Sequence, residues 1–289
     1  MSLMITPTAA TLGATVTGVD LSALDDADWR AIEAAFLEYA VLIFPAQHLS
    51  NAAQVAFATR FGEIEILVEN LQTVPISNKA PDGALFEADS HRMQLLRGNE
   101  GWHTDSSYMP LAAKASVLSA HVVPAAGGET EWADARAAYD ALDSATRERI
   151  ATLTAYHSYF YSQAKLGHHV EVGAGYGFFA GEPPLRSLLK IHTVTGRPAL
   201  YIGRHAGRIP GLDEAEAEAL LDTLMTLTCQ PPRVLTHAWQ AGDVAVWDNR
   251  CVLHRARPYD YREERVMMHT RIKGDPATEM ALNGSSAAA

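Results

Sequence analysis

The spacing of apolar residues divides the chain into many short strands and a few amphipathic helices. Over residues 10–20 (ATLGATVTGVD) small, β-branched and glycine residues alternate, which predicts short strands and turns. Trp29, Ile32, Phe36 and Tyr39 then recur at helical spacing behind an Asp-rich start able to cap exposed N–H groups. The apolar run 40–44, ended by Pro45, predicts a buried strand. Ser50 is placed to cap a second helix that carries Val55, Phe57 and Phe61 and stops near Gly62. Further helices are predicted in the Ala-rich stretch after Trp132 and over 213–227, whose acidic start suits the helix dipole. Strand-like runs lie at 116–123, 187–192, 199–202, 243–247 and 265–272.

Between 65 and 101, Pro75, Pro81, Gly83 and Gly98 interrupt any period, so this segment is predicted to be an irregular active-site loop or lid. The polar, Ala-rich tail 283–289 is predicted to fray. Strands with inserted helices and no regular βαβ alternation predict a mainly β fold, a sandwich or barrel decorated with helices. A length of 289 residues suits one such domain over the whole chain.

The formal net charge is −11, and no run of Lys and Arg could track a phosphate backbone, so nucleic acid is not an expected partner. No stretch approaches the roughly 20 apolar residues of a membrane helix, and the first residues lack a basic start with an apolar run behind it. A soluble, cytoplasmic protein that does not associate with membranes is expected. Cys229 and Cys251 are too few for a disulfide framework and are expected to be reduced packing residues.

The candidate chemistry starts at Trp102-His103-Thr104-Asp105, a His-x-Asp unit whose side chains can converge on one cation from an extended strand end. Alone, such a unit is equally a buried His with a turn Asp. Its far partner is His254, in a Trp-Asp-Asn-Arg…His run that follows the strand-like 242–247. Two His and one carboxylate on one face of a metal leave positions open for a chelating co-substrate and O₂, as in non-haem Fe(II) oxygenases. Arg265, Met267, His269 and Arg271 share one face of the last predicted strand, opposite the apolar face. An Arg fork on that face suits a carboxylate, whereas Arg257 and Arg262 are expected to pair with surface carboxylates.

With these motifs, and with Gly127-Gly128-Glu129-Thr130 followed by Trp132, the chain strongly resembles the taurine and 2,4-dichlorophenoxyacetate dioxygenase family over nearly its whole length. The resemblance implies a double-stranded β-helix (jelly-roll) core with helical insertions. It implies Fe(II) held by His103, Asp105 and His254, and 2-oxoglutarate gripped through its remote carboxylate by Thr130 and Arg265, with O₂ as the oxidant. It places Asn99 near the substrate, with Ser106 and Arg271 the further substrate candidates, and a homo-oligomer is expected. Fifteen residues after His254, where relatives often carry a second Arg, this chain has His269.

Segments 161–168, 202–211 and 247–256 look most like bacterial aryloxyalkanoate dioxygenases acting on (S)-2-aryloxypropionates such as (S)-dichlorprop. The implied reaction hydroxylates the ether-bearing carbon and releases a phenol with pyruvate, or with glyoxylate from an aryloxyacetate such as 2,4-dichlorophenoxyacetate, alongside succinate and CO₂. Residues between Val68 and Met93, with Tyr108, are the expected aromatic pocket. Three alternatives stand beside this reading. They are the same iron chemistry on a sulfonate such as taurine or an alkyl sulfate, a zinc hydrolase with the same ligands, and a non-enzymatic jelly-roll binding module.

Overall fold

The computed structural model describes residues 2–284. An eight-stranded sheet runs in the order Met4–Pro7, Ala14–Thr17, Val41–Phe44, Val244–Asp248, Ala113–Val122, Val266–Lys273, with Ile64–Glu65 and Val74–Ser77 both on the last of these. A three-stranded sheet, Val234–His237, Thr130–Asp134 and Val252–Ala256, supplies the second layer. Every pairing in the two sheets is antiparallel except Ala14–Thr17 with Val41–Phe44.

Period-two alternation divides the central strands between two cores. Val244 and Val246, with Ala115, Val117 and Ile272, face the helices Asp26–Tyr39 and Asn51–Thr59. Ala245 and Trp247, with Leu118, Ala120 and Met267, face Trp132 and Leu253 of the small sheet. The helix side is closed by aromatic edges: Phe61 meets Trp29 and Phe36 at 4.9 Å, and Phe57 at 5.3 Å. Gln54 pins the second helix to the sheet, donating to the Met268 carbonyl at 2.9 Å and accepting from Ser119 Oγ at 2.6 Å.

Helix starts follow their caps. Asp25, Ser50 and Asp213 each accept first-turn N–H groups, and Asp213 with Glu216 forms a capping box. The segment expected to be wholly irregular departs from that description. Val74–Ser77 pairs with the last long strand, and Ser90 caps a helix His91–Gly98. That helix is polar over most of its length, so no apolar stripe announces it. Of the expected tail, residues 285–289 lie outside the described residues. Asn283 is tied down, accepting from Leu185 N at 2.8 Å and donating to the Pro183 carbonyl at 3.1 Å. Among the described residues no helix is long and apolar enough to cross a membrane.

Phe57 is fully enclosed between the helices and the sheet. Phe57→Ala is expected to cost about 3–5 kcal/mol of stability, read from the shift of the urea midpoint at unchanged slope.

Candidate active site

His254 sits in the strand Val252–Ala256, opposite Trp132 of the small sheet. A reciprocal backbone pair, His103 N to His254 O at 3.0 Å and His254 N to His103 O at 2.8 Å, fixes the two histidines side by side with ring centroids 4.2 Å apart. Thr104 adds a third link, its hydroxyl donating to the Val252 carbonyl at 2.7 Å. Asp105 then turns to the large sheet, where Ser116 Oγ donates to its Oδ2 at 2.6 Å and Arg271 Nη2 to its Oδ1 at 2.6 Å.

The Trp-Asp-Asn-Arg run acquires physical roles. The Asn249 side chain accepts from Trp247 Nε1 at 3.0 Å and from Asp105 N at 3.3 Å, and donates to Ser116 Oγ at 2.9 Å. Asp248 takes a two-point grip from Arg250, at 2.8 and 2.6 Å.

The His103, Asp105 and His254 ligand atoms lie within 4.8 Å of one another, and all three residues are buried. His103 Nδ1 donates to the Gly101 carbonyl at 2.8 Å, because a carbonyl only accepts, and this leaves Nε2 with its lone pair. Burial pushes the His103 imidazole down to about 4, against a partial pull from Asp105, and burial likewise holds His254 well below its ordinary value. Burial works to raise the Asp105 carboxyl, but the Arg271 guanidinium, followed by His254 and His269, holds it well below the usual range. Two neutral imidazoles and an ionised carboxylate are the donor set an Fe(II) ion takes.

A second group, His192, Asp248 and Cys251, comes equally close but is already satisfied. His192 Nδ1 accepts from Val194 N and Thr195 N, so Nε2 carries the proton and donates to Asp248 at 3.0 Å, and burial raises the Cys251 thiol.

Two chambers share the His103–Asp105 face. The first ends on Thr130 and Arg265. Thr130 Oγ1 accepts from Trp239 Nε1 at 2.9 Å, leaving its own O–H free to donate. Arg265 donates to the Gly128 carbonyl at 3.0 Å, while its buried Nε has no hydrogen-bond partner among the described residues. A Cβ at Gly128, which sits at φ +71°, would lie 3.0 Å from that Nε, and one at Gly127 would lie 2.5 Å from the Pro258 carbonyl. Gly128 therefore makes room for the Arg265 side chain, and Gly127 for the backbone at Pro258.

The second chamber is aromatic. Tyr108 stacks on Tyr159 and Tyr159 on Phe178, each at 4.5 Å, with the His205 ring edge-on to Tyr108 at 4.7 Å. Arg92 and Arg204 border it.

The chain matches the taurine catabolism dioxygenase TauD, TfdA family over residues 4–271. It belongs to that family. An (S)-phenoxypropionate/alpha-ketoglutarate-dioxygenase of Sphingobium herbicidovorans is 54% identical over 284 residues, covering 96% of this chain and 97% of the relative. The enzyme of the same description from Delftia acidovorans is 54% identical over 287 residues, with 97% and 98% covered. A crystal structure of AAD-2 in complex with Mn(II) and N-oxalylglycine superposes with a TM-score of 0.90 at 37% identity, covering 98% of this chain and 100% of that one.

Among the TauD, TfdA candidates named from sequence, His103, Asp105, His254, Thr130, Arg265 and Asn99 come together around the first chamber. Arg271 and Ser106 stand differently. Arg271 borders both chambers, but its guanidinium is bonded to Asp105 and, through Nη1, to Ser106 Oγ at 3.0 Å. Ser106 in turn faces Glu65. Arg262 pairs with the surface carboxylate of Asp260 as expected, whereas Arg257 lies 3.9 Å from the half-buried Glu131. Of the residues expected to form the aromatic pocket, Tyr108, Ile76 and Arg92 line the second chamber, whereas Val68 and Leu71 are exposed. Tyr159, Arg204, His205 and Ser116 were not among the candidates named from sequence. A helix cap at Ser158 was the available signal for the helix carrying Tyr159.

Burial holds His103 near 4 and the enclosed His157 near 3, against an ordinary value of 6.5. Both are bases with folded values below unfolded ones, so between these limits the unfolded chain binds more protons than the folded chain. Their stabilising effect is complete above about pH 6.5 and is lost as the pH falls toward 4. Metal-free protein is expected to show a urea midpoint that drops continuously through this window; a flat midpoint would contradict the buried, neutral imidazoles.

Proposed function

We propose that the two sheets form a double-stranded β-helix carrying an Fe(II)- and 2-oxoglutarate-dependent dioxygenase. Its substrate is an aryloxyalkanoate, foremost an (S)-2-aryloxypropionate. One observation carries this reading: a buried His-Asp-His face opens on one side to an unsatisfied Arg265 beside a free Thr130 hydroxyl, and on the other to an aromatic chamber. The names borne by the two relatives with 54% identity support it. A zinc hydrolase would have no use for the Thr130 and Arg265 end, and a binding module none for a ligand face held open.

His103 and His254 through Nε2, and Asp105 through a carboxylate oxygen, would hold the iron. Bound Fe(II), with 2-oxoglutarate and O₂, supplies the oxidant that places a hydroxyl on the ether-bearing carbon, yielding succinate and CO₂. The resulting hemiketal breaks the bond between that carbon and the ether oxygen, which stays on the ring and takes the proton of the new hydroxyl, giving a phenol and pyruvate. Arg265 and Thr130 bind the remote carboxylate of 2-oxoglutarate, and the incoming anion relieves a desolvated, unpaired cation. The rings of Tyr108 and Tyr159 offer a face to the aryl group and exclude water from the reacting carbon.

The substrate acid needs a cation that is not already neutralised, and Arg204 is the strongest candidate. Its hydrogen bond is a long one, 3.4 Å to the Ser162 carbonyl, it has no acidic partner among the described residues, and burial lowers its affinity for the proton. Side chains are absent where it passes: a Cβ at Gly98 would lie 2.9 Å from Nη1, and at Gly101 3.1 Å from Cδ. Arg271, spent on Asp105, is not free for this role.

Succinate release measured against aryloxypropionates, aryloxyacetates, taurine and alkyl sulfates tests the substrate class. Turnover of the aryloxypropionates is expected, and turnover confined to taurine or a sulfate ester would overturn it. Arg204→Met is expected to raise KM for the aryloxypropionate about 10–100-fold and leave KM for 2-oxoglutarate in place, with Arg265→Met doing the reverse.

A further inference from the structure

Arg271 does not end at Asp105. Because Arg only donates, Ser106 Oγ accepts from Arg271 Nη1 at 3.0 Å and gives its single proton to Glu65, whose two oxygens lie 3.0 and 2.9 Å away. Arg271 Nε is 3.9 Å from the same carboxylate. Tyr176 completes the chain, its hydroxyl donating to Glu65 Oε1 and its ring 5.8 Å from the Arg271 guanidinium. Ser106 adopts φ +52°, a left-handed conformation that a non-glycine residue holds only where its surroundings enforce it. The path from Tyr176 to the Asp105 carboxylate is thus continuous, and Glu65, Ser106, Asp105 and Arg271 along it are buried.

Tyr176 belongs to a segment unlike the rest of the chain. Gly173, Gly175, Gly177 and Gly181 all take positive φ, and around three of them a Cβ would meet nothing within 4 Å. The segment lies over the aromatic chamber, with Gly177 against the Tyr108 ring and Phe178 stacked on Tyr159. A glycine-rich cover with few side chains to hold it down is therefore fastened, at Tyr176, to the residues behind the candidate metal ligand.

We propose that Arg271 is the positioning residue of Asp105, and that Tyr176, through Glu65 and Ser106, makes this positioning depend on the segment 172–181 being closed over the substrate chamber. The inference rests on the metal reading given above. Burial raises the Glu65 carboxyl against the opposing pull of Arg271, so a partner lost from this chain is not replaced by water at no cost. Closure over a bound substrate then orders the ligand set, and an empty, open chamber leaves Asp105 less constrained.

The test uses the full-length enzyme with Tyr176→Phe and Glu65→Gln, which keep shape and remove one link each, and Arg271→Lys, which keeps charge and loses the two-point reach. Three readouts apply: succinate formed per phenol released, Mn(II) affinity by electron paramagnetic resonance, and amide hydrogen exchange over 172–181. Tyr176→Phe and Glu65→Gln are expected to raise the succinate-to-phenol ratio about threefold or more and to speed exchange in the segment. Arg271→Lys is expected to weaken Mn(II) binding about tenfold. Wild-type Mn(II) binding and turnover, with the ratio and the exchange unmoved in both isosteric variants, would overturn the relay alone. A wild-type chain that binds no Mn(II) would bring down the metal reading and the relay with it.

Discussion

The reciprocal backbone pair between His103 and His254 is the constraint on which the site depends. It joins the stretch that follows the helix His91–Gly98 to an edge strand of the small sheet, so that two residues far apart in sequence present adjacent rings. Asp105 follows two residues later but is held by Ser116 and Arg271 of the large sheet. The ligand face therefore straddles both layers, and its geometry is set by the core of Trp132, Trp247, Leu118 and Met267 packed between them. Stability and chemistry are linked at this point, because any slip between the layers separates the carboxylate from the imidazoles.

Charge decides what each arginine can do. A protein with a formal net charge of −11 binds small acids only where cations are left without acidic partners. Arg250 and Arg271 are neutralised by Asp248 and Asp105 and serve the framework. Among the described residues, Arg265 carries an unsatisfied Nε and Arg204 has no acidic partner, and these two stand at opposite ends of the shared face. Opposite ends suit two different carboxylates, one of the co-substrate and one of the substrate, separated by the reacting centre. His269 adds no fixed charge and stacks on Trp247 with its Nε2 3.6 Å from Asp105.

Much of this was legible in the chain because strong local signals coincide with function. The helical stripe from Trp29 to Tyr39, the Ser50 cap and the alternation from Arg265 to Ile272 specify elements that the structure contains at nearly those bounds. The candidate triad and the proposed Thr130 and Arg265 anchor could be picked out because several spaced motifs occur in order, and the structure brings these residues together around one chamber. Long-range pairing was not legible. Nothing local to Arg271 marks Asp105 as its partner, and nothing near Glu65 or Tyr176 announces a shared serine. Arg204 and His205 lie in a loop whose position is set by Trp102, whose carbonyl accepts from Arg204 N at 2.8 Å, and by Ser162, 2.9 Å from His205 Nδ1. The polar helix His91–Gly98 was hidden for the opposite reason, since it lacks the apolar stripe that sequence patterns detect.

A crystal structure of the enzyme grown with Mn(II) and N-oxalylglycine would show whether His103, Asp105 and His254 hold one metal beside the Arg265 end. The anomalous peak of the metal is expected within bonding reach of His103, Asp105 and His254, with the far carboxylate of N-oxalylglycine on Arg265 and Thr130. A peak at another site, or a metal at the triad with the inhibitor's far carboxylate on Arg204 and the Arg265 end empty, would contradict this reading.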